Sequence, residues 1–430
     1  MHTFTQLIQD DMRPALGVTE PGAIAFAVST ARSYTKGEVE EVLVSLNSGM
    51  YKNAFTCGIP NSDKVGNIFS AALGVVAGNP EKGLESLENV TDEDNEKAKE
   101  LVAQGKIKVV LDHIGSEITI DAKVKTAEDE CVVKIAGSHT DIYYIEKNQE
   151  VIFEKERKQT GEKAESQEAL IHRYTLQDFY NYLQEVDEEE IAFIGDAFTM
   201  NLELLEEGLC SSKTTFGPLL QKQNGGMLIS DDARKTAQLL CDGAIEARVL
   251  GLSKPAMSIT GSGAHGIIAT LPLYAYQKCN EDTVSYLDLL KATALSYLIT
   301  MYIKEYSGKL SAFCGCGIAA GTGMACGLCY LQGGTPEEME MVIRNMASGI
   351  TGMICDGGNQ GCTMKGIVAV DAAFQAVSMA MNHVSIAGVH GINGKSPEET
   401  MKNMGLIASP GMVGTEKVIV EIMGNKGHVE

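Results

Sequence analysis

Apolar positions along the chain follow a helical period at both ends and a period of two in between. Phe4–Met12 and Gly22–Ser33 read as helices. Between them Pro14-Ala-Leu-Gly-Val-Thr-Glu-Pro21 reads as a loop, because two prolines and a glycine break the period. Glu38–Asn47 carries Val39, Val42, Val44 and Leu46 in an imperfect alternation and predicts a strand. A polar loop, Ser48–Asn53, and a turn at Cys57-Gly-Ile-Pro60 follow. Ile68–Ala77 predicts a small-residue helix, and Asp92–Ala103 a charged surface helix.

The alternation then tightens. Lys106–Leu111, Glu117–Lys125, Glu130–Ala136, Asp141–Glu146 and Glu150–Phe153 predict consecutive short strands in an antiparallel meander. Glu154–Glu168 is charged and nearly free of apolar residues, so it is the linker candidate. From Leu176 onward the period is helical, with Ala, Gly, Ser and Met crowding Thr293–Met381 and glycine-rich breaks at 260–266, 315–323 and 352–366. The fold class expected is α+β: an N-terminal lobe over residues 1–160 with the meander, then a larger all-helical lobe over 165–430.

A chain of 430 residues can bury two cores, and 44% hydrophobic with 21% charged residues is ordinary for a globular protein. The excess of 57 acidic over 35 basic residues gives a formal charge of −22. Such a surface repels phosphate backbones, which argues against a nucleic-acid partner. The start of the chain lacks a basic region followed by an apolar run, so no export signal is expected. Long apolar stretches such as Ile367–Met381 are interrupted by Asp371 and Gln375 and fall short of the roughly 18–20 residues a span needs. The expectation is a cytoplasmic protein, without a membrane partner, whose eleven cysteines are reduced. The small-residue helices can pack within one chain or across a homodimer.

Cys131, Cys210, Cys241, Cys279, Cys316, Cys326 and Cys329 fall within strand-like or helix-like patterns and read as buried apolar positions. Cys355 and Cys362 differ, because they flank Asp356-Gly-Gly-Asn-Gln-Gly361, a loop of small residues. Two thiolates on such a loop can converge on one metal centre, and glycine lets backbone N–H groups turn toward sulfide. Cys314, which opens the break Cys314-Gly-Cys-Gly317, is the leading third donor. The spacing fits neither a standard ferredoxin nor a standard zinc pattern, so an iron–sulfur cluster, zinc or no metal all remain open on spacing alone. Three ligands instead of four would leave one metal position open to substrate, as in a catalytic site.

The chain resembles the L-cysteine desulfidase family, which is related to the α chain of iron–sulfur L-serine dehydratases. The resemblance runs over nearly the whole sequence. It rests on Pro14–Pro21, Gly137-Ser-His-Thr140, Gly261-Ser-Gly-Ala-His-Gly-Ile267, Leu310-Ser-Ala-Phe-Cys314 and Gly352–Lys365. It implies a lyase without pyridoxal phosphate, with a [4Fe-4S] cluster on Cys314, Cys355 and Cys362. The implied reaction is a β-elimination on a small amino acid, foremost L-cysteine, giving pyruvate, ammonia and sulfide. A serine- or threonine-type dehydratase is the near alternative. One departure matters: the family's Gly-Cys-Thr-Glu-Pro reads Gly17-Val18-Thr19-Glu20-Pro21 here, and valine cannot take a proton.

In that chemistry an open iron accepts the charge of the departing sulfur or oxygen. The candidate bases are Glu20, if burial raises its pKa, and Lys52, if burial lowers it. Ser48, Asn53 and Ser262 offer donors to the substrate carboxylate, the last in a glycine-rich break that can bind an anion. His139 and His265 can orient substrate or pass a proton. Lys365 can balance the charge of the cluster, and Cys57 can stand in for the missing thiol if the fold brings it close. Loss of the expected base also leaves room for a protein that binds sulfur or a cluster without turnover.

Overall fold

The computed structural model describes residues 1–156, 169–308 and 310–426. Most of the expected linker, residues 157–168, lies outside them. The architecture is α+β. Its strands are β1 (Arg13–Leu16), β2 (Val39–Asn47), β3 (Ile107–His113), β4 (Thr119–Thr126), β5 (Glu130–Ala136), β6 (Ile142–Lys147), β7 (Glu150–Glu154) and β8 (Pro255–Ser258).

Six strands form one sheet in the order β3-β2-β4-β5-β6-β7. The meander is therefore one strand shorter than expected. β4 to β7 run antiparallel in sequence order, but β3 sits beyond β2 and pairs with it in parallel, Val42 opposite Ile107 and Val44 opposite Val109. Alternation marks a strand without naming its neighbour. Here Val42, Val44 and Leu46 of β2 are fully buried, so a strand on each side satisfies the central backbone. The crossover from β2 to β3 carries the helices Ser48–Asn53, Gly66–Ala77 and Asp92–Ala103. The last begins at a capping box, where Thr91 and Asp94 each accept the other's backbone N–H. The helix Thr19–Ser33 packs on Gly66–Ala77 so closely that a β-carbon on Gly74 would reach 2.8 Å from Cα of Ala25.

Two stretches expected as loops are ordered. The first contains β1, and the helix after it starts at Thr19 with Pro21 in its first turn, where no backbone donor is needed. The second, Ser48–Asn53, is a short helix. The region expected to be all-helical contributes β8, which pairs antiparallel with β1, Arg13 opposite Ser258 and Leu16 opposite Pro255. A four-residue strand is too short to show a period, and its partner lies far away in sequence.

The remaining chain is helical. Capping boxes at Thr175, Ser285 and Thr335 start three of its helices. Small residues let them approach: a β-carbon on Gly327 would come within 2.8 Å of Leu273 and 2.9 Å of the Ala292 carbonyl. The N-terminal helix Thr3–Asp11 belongs to this helical core, with Phe4 stacked edge-on against Phe179 and Tyr182. No helix among the described residues is long and apolar enough to cross a membrane.

Candidate active site

The site is assembled by backbone pairing between segments that are distant in sequence. The ribbon of β1 and β8 joins the two motifs that follow these strands: Gly17–Pro21 on one side and Gly261–Ile267 on the other. A bridge between Phe313 and Ile354 then joins the two cysteine segments. Cys314 N–H donates to the Met353 carbonyl at 3.1 Å, and Cys355 N–H donates to that of Ala312 at 2.6 Å. The cysteine loop is tied in turn to the short helix, because Gly358 N–H donates to the Asn53 carbonyl at 3.2 Å. A β-carbon on Gly357 would collide with the Lys52 carbonyl, and one on Gly358 would stand 3.0 Å from Val18. Gly357 also has φ of +103°, so glycine is required there on both counts.

Cys314 is buried, and Cys355 and Cys362 are partly buried. The Cys314 sulfur accepts from Gly317 N–H at 3.4 Å. The neighbouring Cys316 outweighs burial and, with Gly317, holds the Cys314 pKa down to about 7. Cys316 itself is pushed well up, by Cys314 and by burial, and stays a thiol. Burial raises Cys362 to about 11 against the pull of Lys365. Lys365 is ion-paired with Asp356. Burial works to lower its pKa, but Cys362 and Asp356 push it above the ordinary value. Lys304 approaches from another side: burial pulls its pKa down, while Cys316, Cys355 and Cys314 act against that.

Asn53 connects the thiols to the acid–base groups. Its Nδ2 donates to Oε1 of Glu20 at 2.8 Å, and its Oδ1 lies 3.9 Å from the Cys355 sulfur. Glu20 is 5% exposed, with Nε2 of His139 at 3.9 Å. Burial would raise its pKa, but His139 and Asn53 outweigh it and hold the carboxyl at about 2. Lys52 is 1% exposed and donates to Glu416 at 2.8 Å and to the Ser311 carbonyl at 2.9 Å. Burial lowers its pKa, yet Cys355 and Glu416 together raise it above that of a free lysine. The environments that would make Glu20 a stronger base and Lys52 a free amine are thus both reversed by their partners.

His265 is buried, with Nδ1 2.6 Å from the Thr260 hydroxyl. Burial, Lys304 and Arg248 keep it neutral, with a pKa well below the ordinary value. Its Nε2 faces Gly315, where a β-carbon would lie only 2.6 Å away. Cys57 is fully buried and held well above the ordinary thiol pKa by burial and by Glu20, with Cys362 also acting on it. Ser262 precedes the helix Gly263–Cys279 and is half-buried. Ser48 faces elsewhere: its hydroxyl and the backbone of Gly115 hydrogen-bond each other.

Sequence reasoning missed Arg248, Lys304, Cys316 and Glu416. Lys304 carried a readable signal, since it follows a long apolar run in its helix, whereas Arg248 shares its helix with Arg234, Lys235, Asp242 and Glu246. The donor set suits a cluster. The thiols come from two paired segments, one accepts a backbone N–H, and Lys304 and Lys365 offset their charge. Among the described residues, no three His, Cys, Asp or Glu side chains close on a single point as a lone metal ion requires.

Comparison with known proteins places the chain in a family. The family model for the serine dehydratase alpha chain matches residues 81–421. A UPF0597 protein of Clostridium botulinum (strain Okra) is 40% identical over 421 residues, covering 97% of each chain. UPF0597 proteins of Caldanaerobacter subterraneus and Clostridioides difficile are 37% identical over 424 residues and 34% identical over 429. They cover 98% and 99% of this chain, and 98% and 100% of their own lengths.

Proposed function

The chain belongs to the serine dehydratase alpha chain family, a family of dehydratase-type lyases, and from that premise we propose that it performs a β-elimination on a small L-amino acid. L-cysteine is the substrate proposed, with water consumed and pyruvate, ammonia and hydrogen sulfide formed. What carries the reading is the contact of Asn53 with both Glu20 and Cys355, because it puts an ionised carboxylate beside a soft thiol set. Cys314, Cys355 and Cys362 are assigned as ligands of a [4Fe-4S] cluster. The glycine loop between Cys355 and Cys362, the Gly317 N–H aimed at Cys314, and the cations Lys304 and Lys365 near the thiols support this assignment. When bound, the cluster supplies an open iron that takes up the charge developing on the leaving sulfur or oxygen.

The protein's own groups then have the following roles. The Glu20–His139 pair is assigned to receive the Cα proton: the imidazole takes it, and the ionised carboxylate beside it stabilises the imidazolium. Lys52 keeps its proton and is assigned to balance charge near Cys355. Lys365 does the same next to Cys362. His265, neutral beside Gly315, can donate a hydrogen bond to substrate. Val18 fills the position of the family's cysteine and closes the cysteine loop from the side of Asn53.

The family match favours a second reading, in which hydroxide leaves from serine. Anaerobically purified protein should contain iron and acid-labile sulfide, and should release pyruvate from L-cysteine with sulfide in equal amount. Pyruvate from L-serine alone would select the second reading. Full iron content with no product from either amino acid would sink the elimination.

A further inference from the structure

Arg248 closes the helix Ala233–Val249 and is 5% exposed. Its Nε is sealed from solvent and meets no acceptor. No carboxylate pairs with the guanidinium among the described residues. A buried cation without a partner is costly, and an arginine kept only for structure would donate into carbonyls or a carboxylate. The guanidinium instead lies over Gly263, where a β-carbon would come within 2.6 Å of its Nε. Gly263 opens the 17-residue helix Gly263–Cys279, and no side chain caps that helix. A first turn with free N–H groups attracts an anion, and here a buried guanidinium is added to it.

The surroundings narrow the anion down. Arg248 and Glu20 both act electrostatically on Cys57 and on His265, so charges of both signs lie near these two residues. The Cys57 segment is held against the end of the arginine's helix, with Gly58 N–H donating to the Val249 carbonyl at 2.8 Å. On the other side His265 faces Gly315, next to Cys314. The single charge of Arg248 matches a monoanionic carboxylate. A dianion such as phosphate would meet the ionised Glu20.

We propose that Arg248, with the first turn of Gly263–Cys279 and the Ser262 hydroxyl, forms the subsite for the α-carboxylate of the amino-acid substrate. This rests on the amino-acid lyase reading and assigns its specificity for a free α-carboxylate to Arg248. The planar fork of arginine matches a carboxylate in two hydrogen bonds, which lysine cannot copy.

The test uses anaerobically purified holoprotein and L-alanine, which has the carboxylate and ammonium but no leaving group. By calorimetry the wild type is expected to bind L-alanine at least about tenfold more tightly than L-alaninamide. Arg248→Met should weaken L-alanine binding on the order of 10- to 100-fold and erase that preference. Its Tm should be unchanged or higher, because an unpaired buried charge is gone. Arg248→Lys, which keeps the charge, should raise KM for L-cysteine more than it lowers kcat. The proposal is overturned if the wild type does not bind L-alanine or does not prefer it to the amide. It is equally overturned if Arg248→Met binds L-alanine as the wild type does, or if Arg248→Lys leaves KM unchanged. Selective L-alanine binding without turnover of any amino acid would keep the subsite and remove the elimination. Turnover with an unaffected Arg248→Met would do the reverse.

Discussion

Val18 and Gly358 are in direct contact: a β-carbon on Gly358 would stand 3.0 Å from Cγ1 of the valine and 3.1 Å from the Asn53 carbonyl. The substituted position of the first motif thus touches the loop between two of the assigned cluster ligands. Gly358→Ala should cost about 1–3 kcal/mol, as overpacking of a tight site does. It should also lower iron content, because the loop must move away from Asn53. Val18→Ala makes room, so the double variant should recover at least about 1 kcal/mol relative to the sum of the singles. Urea unfolding of the four proteins and iron analysis check this, and strict additivity would mean that the contact carries no load.

The buried Lys52–Glu416 pair fastens the helix Val413–Gly424 to the site. Oε1 of Glu416 has no second partner, so the carboxylate depends on the lysine. Lys52→Met should therefore destabilise the protein by about 3–5 kcal/mol, since it strands a buried charge. Lys52→Met with Glu416→Leu should restore most of that loss, because an apolar pair of similar volume needs no desolvation to be repaid. Thermal unfolding of the single and double variants measures it. A double variant as unstable as the single would show that Lys52 acts chiefly through the Ser311 carbonyl.

Much of this was legible in the sequence, and the reasons are local. Asp92–Ala103 and β5 were delimited correctly because a capping box and a strict alternation lie within those segments. β1 and β8 left no signature, because each is defined by the other across more than 200 positions. The same limit hid Arg248 and Glu416, whose burial depends on helices packed from elsewhere. The resembling motifs contain Glu20 and His139, the polar loop after β2 offered Asn53, and the structure joins the three in one cluster of contacts. Ser48 offered the same kind of donor, but its hydroxyl is engaged with the backbone of Gly115, a partner 67 positions away that no local pattern announces.

Cys316 read as a core position and instead acts on Cys314, holding that neighbour's pKa down. Because its own pKa is pushed well up, it stays protonated. Cys316→Ala should then keep iron and labile sulfide near wild-type levels, whereas Cys314→Ala, Cys355→Ala and Cys362→Ala should each lose most of both. Equal loss in Cys316→Ala would make it a ligand and exchange the roles of the two cysteines.

The pH dependence of stability should carry the signature of Glu20. Its carboxyl titrates at about 2 in the folded chain against an ordinary value of 4.5. A depressed folded pKa adds stability that is complete above the unfolded value and is lost as the pH falls toward the folded one. The group contributes roughly 3 kcal/mol at neutral pH by this linkage, shared between His139 and Asn53. Glu20→Gln cannot ionise, so it should be less stable than the wild type at pH 6. That deficit should shrink by about 2 kcal/mol on going to pH 3, where the unfolded wild-type carboxyl is protonated and the folded one is not. Denaturant titrations of both proteins across this range decide the matter. A deficit that stays constant with pH would mean that Glu20 is held by packing and not by its charge, and the Glu20–His139 pair would lose its assigned place as proton acceptor.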